Sequence, residues 1–139
     1  MMTKKLVAYC SFSGVTAARA EKLASLIGAD LHEIAPAVPY SAEDINWRNP
    51  ESRCSKEHAD PSIRPALQEE KTDLAAYDTV YIGFPIWWGV APNLINTFIE
   101  NNNLTDKKIV LFATSGGSPI SAADAALKKQ YPALRIVKA

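Results

Sequence analysis

The sequence predicts an α/β domain built on a doubly wound, five-stranded parallel sheet of order 2-1-3-4-5, spanning residues 1–139 as one unit. Three observations predict it. Short apolar runs alternate with amphipathic stretches, as in a parallel sheet with right-handed crossovers. The runs are nearly continuous rather than polar at every second residue, as in strands covered on both faces. Unusual small-residue or aromatic turns follow the first, third and fourth strands, at the carboxyl ends where open α/β sheets bind ligands.

Residues 6–10 (L-V-A-Y-C) form the first strand. After the turn at 11–16, Ala20, Leu23, Ala24 and Ile27 recur on one helical face, and Gly28 stands where a C-terminal cap belongs. Residues 30–35 are the second strand. Residues 36–73 differ: Pro36, Pro39, Pro50, Pro61 and Pro65 punctuate a polar stretch holding Trp47, Arg48, Arg53, His58 and Arg64, expected as a long insertion. Residues 79–84 (T-V-Y-I-G-F) are the third strand, and Pro92 opens a helix with Leu94, Ile95, Phe98 and Ile99 on one face. Residues 108–113 (K-I-V-L-F-A) form the fourth strand, 119–131 an alanine-rich helix, and 134–137 the fifth strand. The helix that usually covers the fifth strand of such a sheet is expected to be missing.

The chain has 139 residues, 47% of them apolar, which suits one hydrophobic core. Lys plus Arg and Asp plus Glu number 15 each, so no net field steers the protein to nucleic acid or an anionic membrane. No apolar run approaches the roughly 18 residues that span a bilayer. Cys10 and Cys54 lack metal-ligand or C-x-x-C spacing, and a reducing cytoplasm is expected.

The first turn, Ser11-Phe12-Ser13-Gly14-Val15-Thr16, puts three hydroxyls and a glycine directly before a helix. A phosphate there accepts N–H bonds from the turn and the helix start, at roughly 1.5 to 3 kcal/mol per charge-assisted bond. Gly14-Val15-Thr16 lacks the Gly-Lys-Ser/Thr ending of a P-loop, and one glycine is too few for a dinucleotide fingerprint. Thr16 stands where a cysteine phosphatase needs a guanidinium, so Cys10 reads as a small buried residue ending a strand. The second turn, Pro85-Ile86-Trp87-Trp88-Gly89, offers an aromatic platform for a flat ring. The third, Thr114-Ser115-Gly116-Gly117-Ser118, offers backbone donors and acceptors to a ring's polar edge. A phosphate cradle, a platform and a polar edge are the parts of an FMN site.

On these three turns the chain resembles the flavodoxin family, especially its small members with a Ser-x-Ser-Gly-Asn-Thr loop. The match runs in order from about residue 5 to 139, with Asp60-Pro61 and Arg64-Pro65 in the insertion also familiar for that subgroup. The resemblance implies that the first loop binds the FMN phosphate, the second flanks the isoalloxazine and the third contacts its pyrimidine edge. Val15 departs from the usual Asn, which removes one side-chain contact and implies weaker binding.

The function expected is electron transfer by bound FMN, with a redox partner protein. The alternative is an FMN-dependent oxidoreductase taking electrons from NAD(P)H to a small, quinone-type acceptor. A third expectation, from another class, is a flavodoxin-fold module that has lost its cofactor. A response-regulator receiver is excluded, because Gly83-Phe84-Pro85 holds no acidic residue where that fold needs one. No side chain stands out as a general acid or base. Arg53, His58 and Arg64 are candidates to meet a substrate, Tyr40 and Trp47 to cover the ring, and His32 has a structural place on the second strand. The open edge of the fifth strand would allow a homodimer.

Overall fold

Five strands, β1 (Lys4–Tyr9), β2 (Asp30–Glu33), β3 (Tyr77–Pro85), β4 (Lys108–Thr114) and β5 (Arg135–Lys138), pair in parallel in the order β2-β1-β3-β4-β5. The computed structural model describes residues 4–12, 14–114 and 120–138. Four helices connect the strands: α1 (Val15–Ile27), α2 (Arg53–Ala59), α3 (Asn93–Asn101) and α4 (Ser121–Gln130). No helix follows β5 among the described residues. The order is the one the sequence predicts, and strand ends differ from expectation by one or two residues.

The continuous apolar runs split between two faces once the strands are in register. On one face Leu6, Val80, Ile109 and Ile136 stand in one row, and Ala8, Ile82 and Leu111 in the next. Leu94, Ile95 and Phe98 of α3 and Ala123 and Leu127 of α4 close over them into the main core. On the other face Val7, Tyr9 and Phe112 lie beneath α1, which buries Ala20 and Ala24 there and packs Ala17, Leu23 and Ile27 around them. The small side chains let that helix sit close to the sheet. Gly83 is required by its strand neighbour: a Cβ there would fall 2.1 Å from Cζ of the Phe112 ring on β4. Only a residue without a side chain lets that ring lie flat.

Residues 36–73, expected as a long loop, have internal order. Pro36 and Leu67 form an antiparallel bridge, with Ala37 N donating to Ala66 O at 2.8 Å and Gln68 N to Ala35 O at 2.9 Å. The excursion is thereby closed at its neck. Ser52 caps α2 through its hydroxyl, which accepts from Ser55 N. The sequence does not show this helix because it is about two turns long and buries only Cys54 and Glu57. Such a short pattern is too brief to register as amphipathic.

Candidate functional site

The carboxyl ends of β1, β3 and β4 bring the predicted turns together. Gly14 takes φ +88°, a left-handed conformation that favours glycine, and no atom lies within 4 Å of where a Cβ would stand. Its N–H donates to Ser11 Oγ at 3.2 Å, which folds the turn back on itself. Among the described residues helix α1 then starts with no side-chain cap, and its first turn holds no acidic residue. The first N–H groups of such a helix carry the positive end of its dipole. Val15 turns its side chain to solvent, 60% exposed, so it contributes its N–H and nothing more. Ser13 lies outside the described residues.

Thr16 is buried, and its Oγ1 lies 2.7 Å from Thr114 Oγ1. That hydroxyl pair ties the first turn to the third across the end of β3. Thr114 also accepts from Ile86 N at 3.2 Å, which joins the second turn to both. Three segments separated by as many as 98 residues therefore share one small hydroxyl and carbonyl cluster. Of the third turn, Ser115, Gly116, Gly117 and Ser118 lie outside the described residues. Asp124, in the first turn of the helix that follows, keeps a buried Oδ1 with no partner among the described residues.

The second turn resolves how two adjacent tryptophans are used. Val90 N donates to Trp87 O at 3.1 Å and Trp87 N to Val90 O at 2.9 Å, closing a two-residue hairpin. Its central residues, Trp88 at φ +50° and Gly89 at φ +83°, are both left-handed, the type I′ geometry. A tryptophan in that region is strained by roughly 1 to 2 kcal/mol, a cost found mainly at functional sites. The strain separates the two rings. Trp87 packs inward on Phe12 of the first turn, centroids 4.7 Å apart, and lies 6.1 Å from Tyr40. Trp88 stacks on His58 at 4.5 Å and 19° and stays 43% exposed.

Between this turn and α2 lies a groove of about 260 Å³, lined by Ile45, Trp47, Cys54, Ile86, Trp87 and Trp88. Its walls are mostly apolar and aromatic, the lining that suits a planar ring. Trp47 reaches it from the 36–73 segment, so Trp47 joins the site and Tyr40 lies beneath it against Phe12. Pro85 ends β3, and Gly89 supplies the hairpin's second left-handed residue.

A buried carboxylate holds the segment against the turns. Glu57, 5% exposed, accepts from Tyr40 OH at 2.5 Å and from Arg53 Nε at 3.1 Å. Arg53 also donates to Val38 O at 2.7 Å and lays its guanidinium 3.7 Å from the Tyr40 ring centroid. Burial first, and then the bond to Glu57, push the Tyr40 phenol well above its ordinary value, so it stays a neutral donor. Sequence reading did not find Glu57, Tyr40's role as its donor, or Phe12. The signal available was slight, namely Arg53 and Glu57 at i, i+4 behind the Ser52 cap.

Other candidate residues take structural places. Arg64 pairs with Glu100 at 2.9 Å and Arg53 is held as above, so neither is a free cation at the groove. The His32 ring bonds Thr72 Oγ1 at 3.2 Å. Cys10 is buried, and burial pushes its thiol far above the reactive range, as its reading as a buried strand end expects. No cluster of three or more metal-ligating side chains occurs among the described residues, and no helix there is long and apolar enough to cross a membrane.

The residues present suit a phosphate joined to a planar ring: a helix start with no side-chain cap among the described residues, hydroxyls at Ser11 and Thr16, and an aromatic groove. Comparison with known proteins points to a family. A family model described as flavodoxin matches residues 4–139. A flavoprotein candidate from Bacteroides eggerthii is 50% identical, with TM-score 0.96 over 99% of this chain and 86% of its own. One from Bacteroides uniformis is 46% identical, with TM-score 0.96 over 99% of this chain and 88% of its own. A flavoprotein from Lactobacillus acidophilus, solved in complex with FMN, shares the fold at 24% identity and TM-score 0.80, over 99% of this chain and 91% of its own. No curated protein matches the chain.

Proposed function

The chain belongs to the flavodoxin family, and from that premise we propose that it binds FMN and uses it to pass electrons to a redox partner protein. The observation that carries the reading is the union of two features at the sheet's carboxyl edge. The start of α1 at Gly14, without a side-chain cap among the described residues, is joined to the tryptophan groove by the Thr16–Thr114 hydroxyl pair and the bond from Ile86 N to Thr114 O.

FMN supplies one- and two-electron chemistry that no side chain here could perform. The chain's own residues bind, orient and shield. Ser11, the N–H groups of Gly14 and Val15, and Thr16 would hold the phosphate. Their neutral donors replace the lysine of other phosphate loops, which suits a site with no net charge nearby. Ile86, Trp87, Trp88 and Trp47 would hold the ring and exclude water from its faces. With Trp87 locked on Phe12, the platform is organised before any ring arrives.

A second reading, an FMN-dependent NAD(P)H oxidoreductase with a quinone-type acceptor, has one observation in its favour. Trp47 is 63% exposed at the mouth of the groove, leaving it open to a second ring. The first experiment serves both readings: a visible spectrum of the purified protein, then FMN titrated into the apo form with flavin fluorescence followed. Saturable quenching is the expected result, since the ring would meet tryptophan. A colourless protein that leaves FMN fluorescence unchanged would overturn the flavin reading and leave a fold without its cofactor. With FMN bound, anaerobic NADPH that bleaches the colour without a partner favours the oxidoreductase, and colour that persists favours the carrier.

A further inference from the structure

A second groove, of about 230 Å³, lies behind the His58–Trp88 stack, between α3 and α4. It is small for a drug-sized ligand and sized for a single ring with a substituent. Val90, Ala91, Ala126 and Leu127 form its apolar walls, and Asn93, Asn96 and Gln130 bring amides to it.

The two asparagines are built in. Asn93 is 9% exposed and Asn96 6%. Asn93 Nδ2 faces three backbone carbonyls, Glu57 O at 2.8 Å and Asp60 O and Ile63 O at 3.1 Å each, so its nitrogen and oxygen cannot be exchanged. Asn96 Nδ2 donates to Gln130 Oε1 and to Tyr131 OH, both at 3.0 Å. Tyr131 already donates its proton to the Glu100 carboxylate, so its oxygen can only accept, and the orientation of Asn96 is fixed as well. Both residues line the groove, and among the described residues no donor reaches Asn93 Oδ1 or Asn96 Oδ1. Two carbonyl oxygens one helical turn apart thus lack donors, while Gln130, its Oε1 occupied, retains an N–H₂ to give.

We infer that this groove is a binding site for a primary carboxamide carried on a small flat ring. The ligand's N–H₂ would donate to the asparagine oxygens, its carbonyl would accept from Gln130, and its ring would lie on the apolar walls. A carboxylate is disfavoured, because it would face the asparagine carbonyl oxygens with no Lys or Arg on the wall, and the one imidazole there, His58, is stacked on Trp88. The inference does not depend on the flavin reading, since none of the residues it uses lines the tryptophan groove.

The test is an NMR titration of the uniformly ¹⁵N-labelled protein with nicotinamide, and in parallel with nicotinate, which differs only in the group read. Nicotinamide is expected to shift the Asn93 and Asn96 side-chain amide signals saturably, and nicotinate to leave them in place. Ala126→Phe fills the groove and should weaken nicotinamide at least tenfold while FMN titrates as in the wild type. If Ala126→Phe fails to fold, Ala91→Leu narrows the same groove from the opposite side. Absence of a saturable shift, an equal response to nicotinate, or wild-type affinity in a folded groove-filling variant would each overturn the assignment.

Discussion

The sheet and the 36–73 segment hold themselves together by different physics. The sheet is apolar and local in its logic: strand registers stack Leu6, Val80, Ile109 and Ile136, and Phe98 closes over them from the next helix. The segment has little apolar core of its own. It hangs on polar anchors: Glu57 between Tyr40 and Arg53, Asn93 gathering three carbonyls, Arg64 on Glu100, and the Pro36–Leu67 neck. Such anchors cost desolvation when made and more when broken by halves. One region therefore sets whether the molecule folds, and the other sets the shape of the tryptophan groove.

Substitutions can break or sharpen that contrast. Phe98→Ala, in the shared core, should cost about 3 to 5 kcal/mol and lower both regions together, seen as one cooperative loss in denaturant unfolding. Glu57→Ala should cost about 2 to 3 kcal/mol, less than a fully buried pair because Arg53 is partly solvated. Its signature is local: amides of 40–63 exchange faster while those of β1, β3 and β4 keep their protection. Uniform loss of protection would show that the two regions are one cooperative unit.

Gly14→Ala should cost about 1 to 2 kcal/mol, because alanine resists φ +88°. The same strain reshapes the turn and should weaken FMN by about tenfold in a fluorescence titration. Trp88→Asn should change stability by less than about 1 kcal/mol, since relief of left-handed strain offsets the lost stack on His58. It should nonetheless reduce quenching of bound flavin. The smallest effect concerns acid. Arg64 holds the Glu100 carboxyl below its ordinary value, so this pair's contribution is present above about pH 4.3 and fades as pH falls through the lowered value. Arg64→Met should flatten that part of the stability–pH curve by less than about 1 kcal/mol, the pair being half-exposed.

Much of the architecture is legible in the sequence. Continuous apolar runs at 6–10, 79–84 and 108–113 gave three strands within two residues of their observed ends, and Gly28 marked the end of α1. The first turn was legible through its glycine and hydroxyls, and Thr114 through its place after the fourth strand. The short helix α2 was not, and neither was Glu57, which reads as an ordinary charged residue until Tyr40 is seen beside it. Arg53 and Arg64 read as free cations, and only their partners, in the case of Arg64 36 residues away, show that they are spent on structure.

The sequence by itself determined the alternation of strand and helix, the strand order and the three turns at the carboxyl edge. Those follow from period, turn chemistry and chain connectivity, which act over a few residues at a time. The tertiary structure alone decided that Trp87 turns in and Trp88 out, that Thr16 meets Thr114, and that Asn93 and Asn96 line a groove with Gln130. Each of these depends on what strand register and helix packing bring across from distant parts of the chain, and no local pattern encodes the identity of a partner that far away.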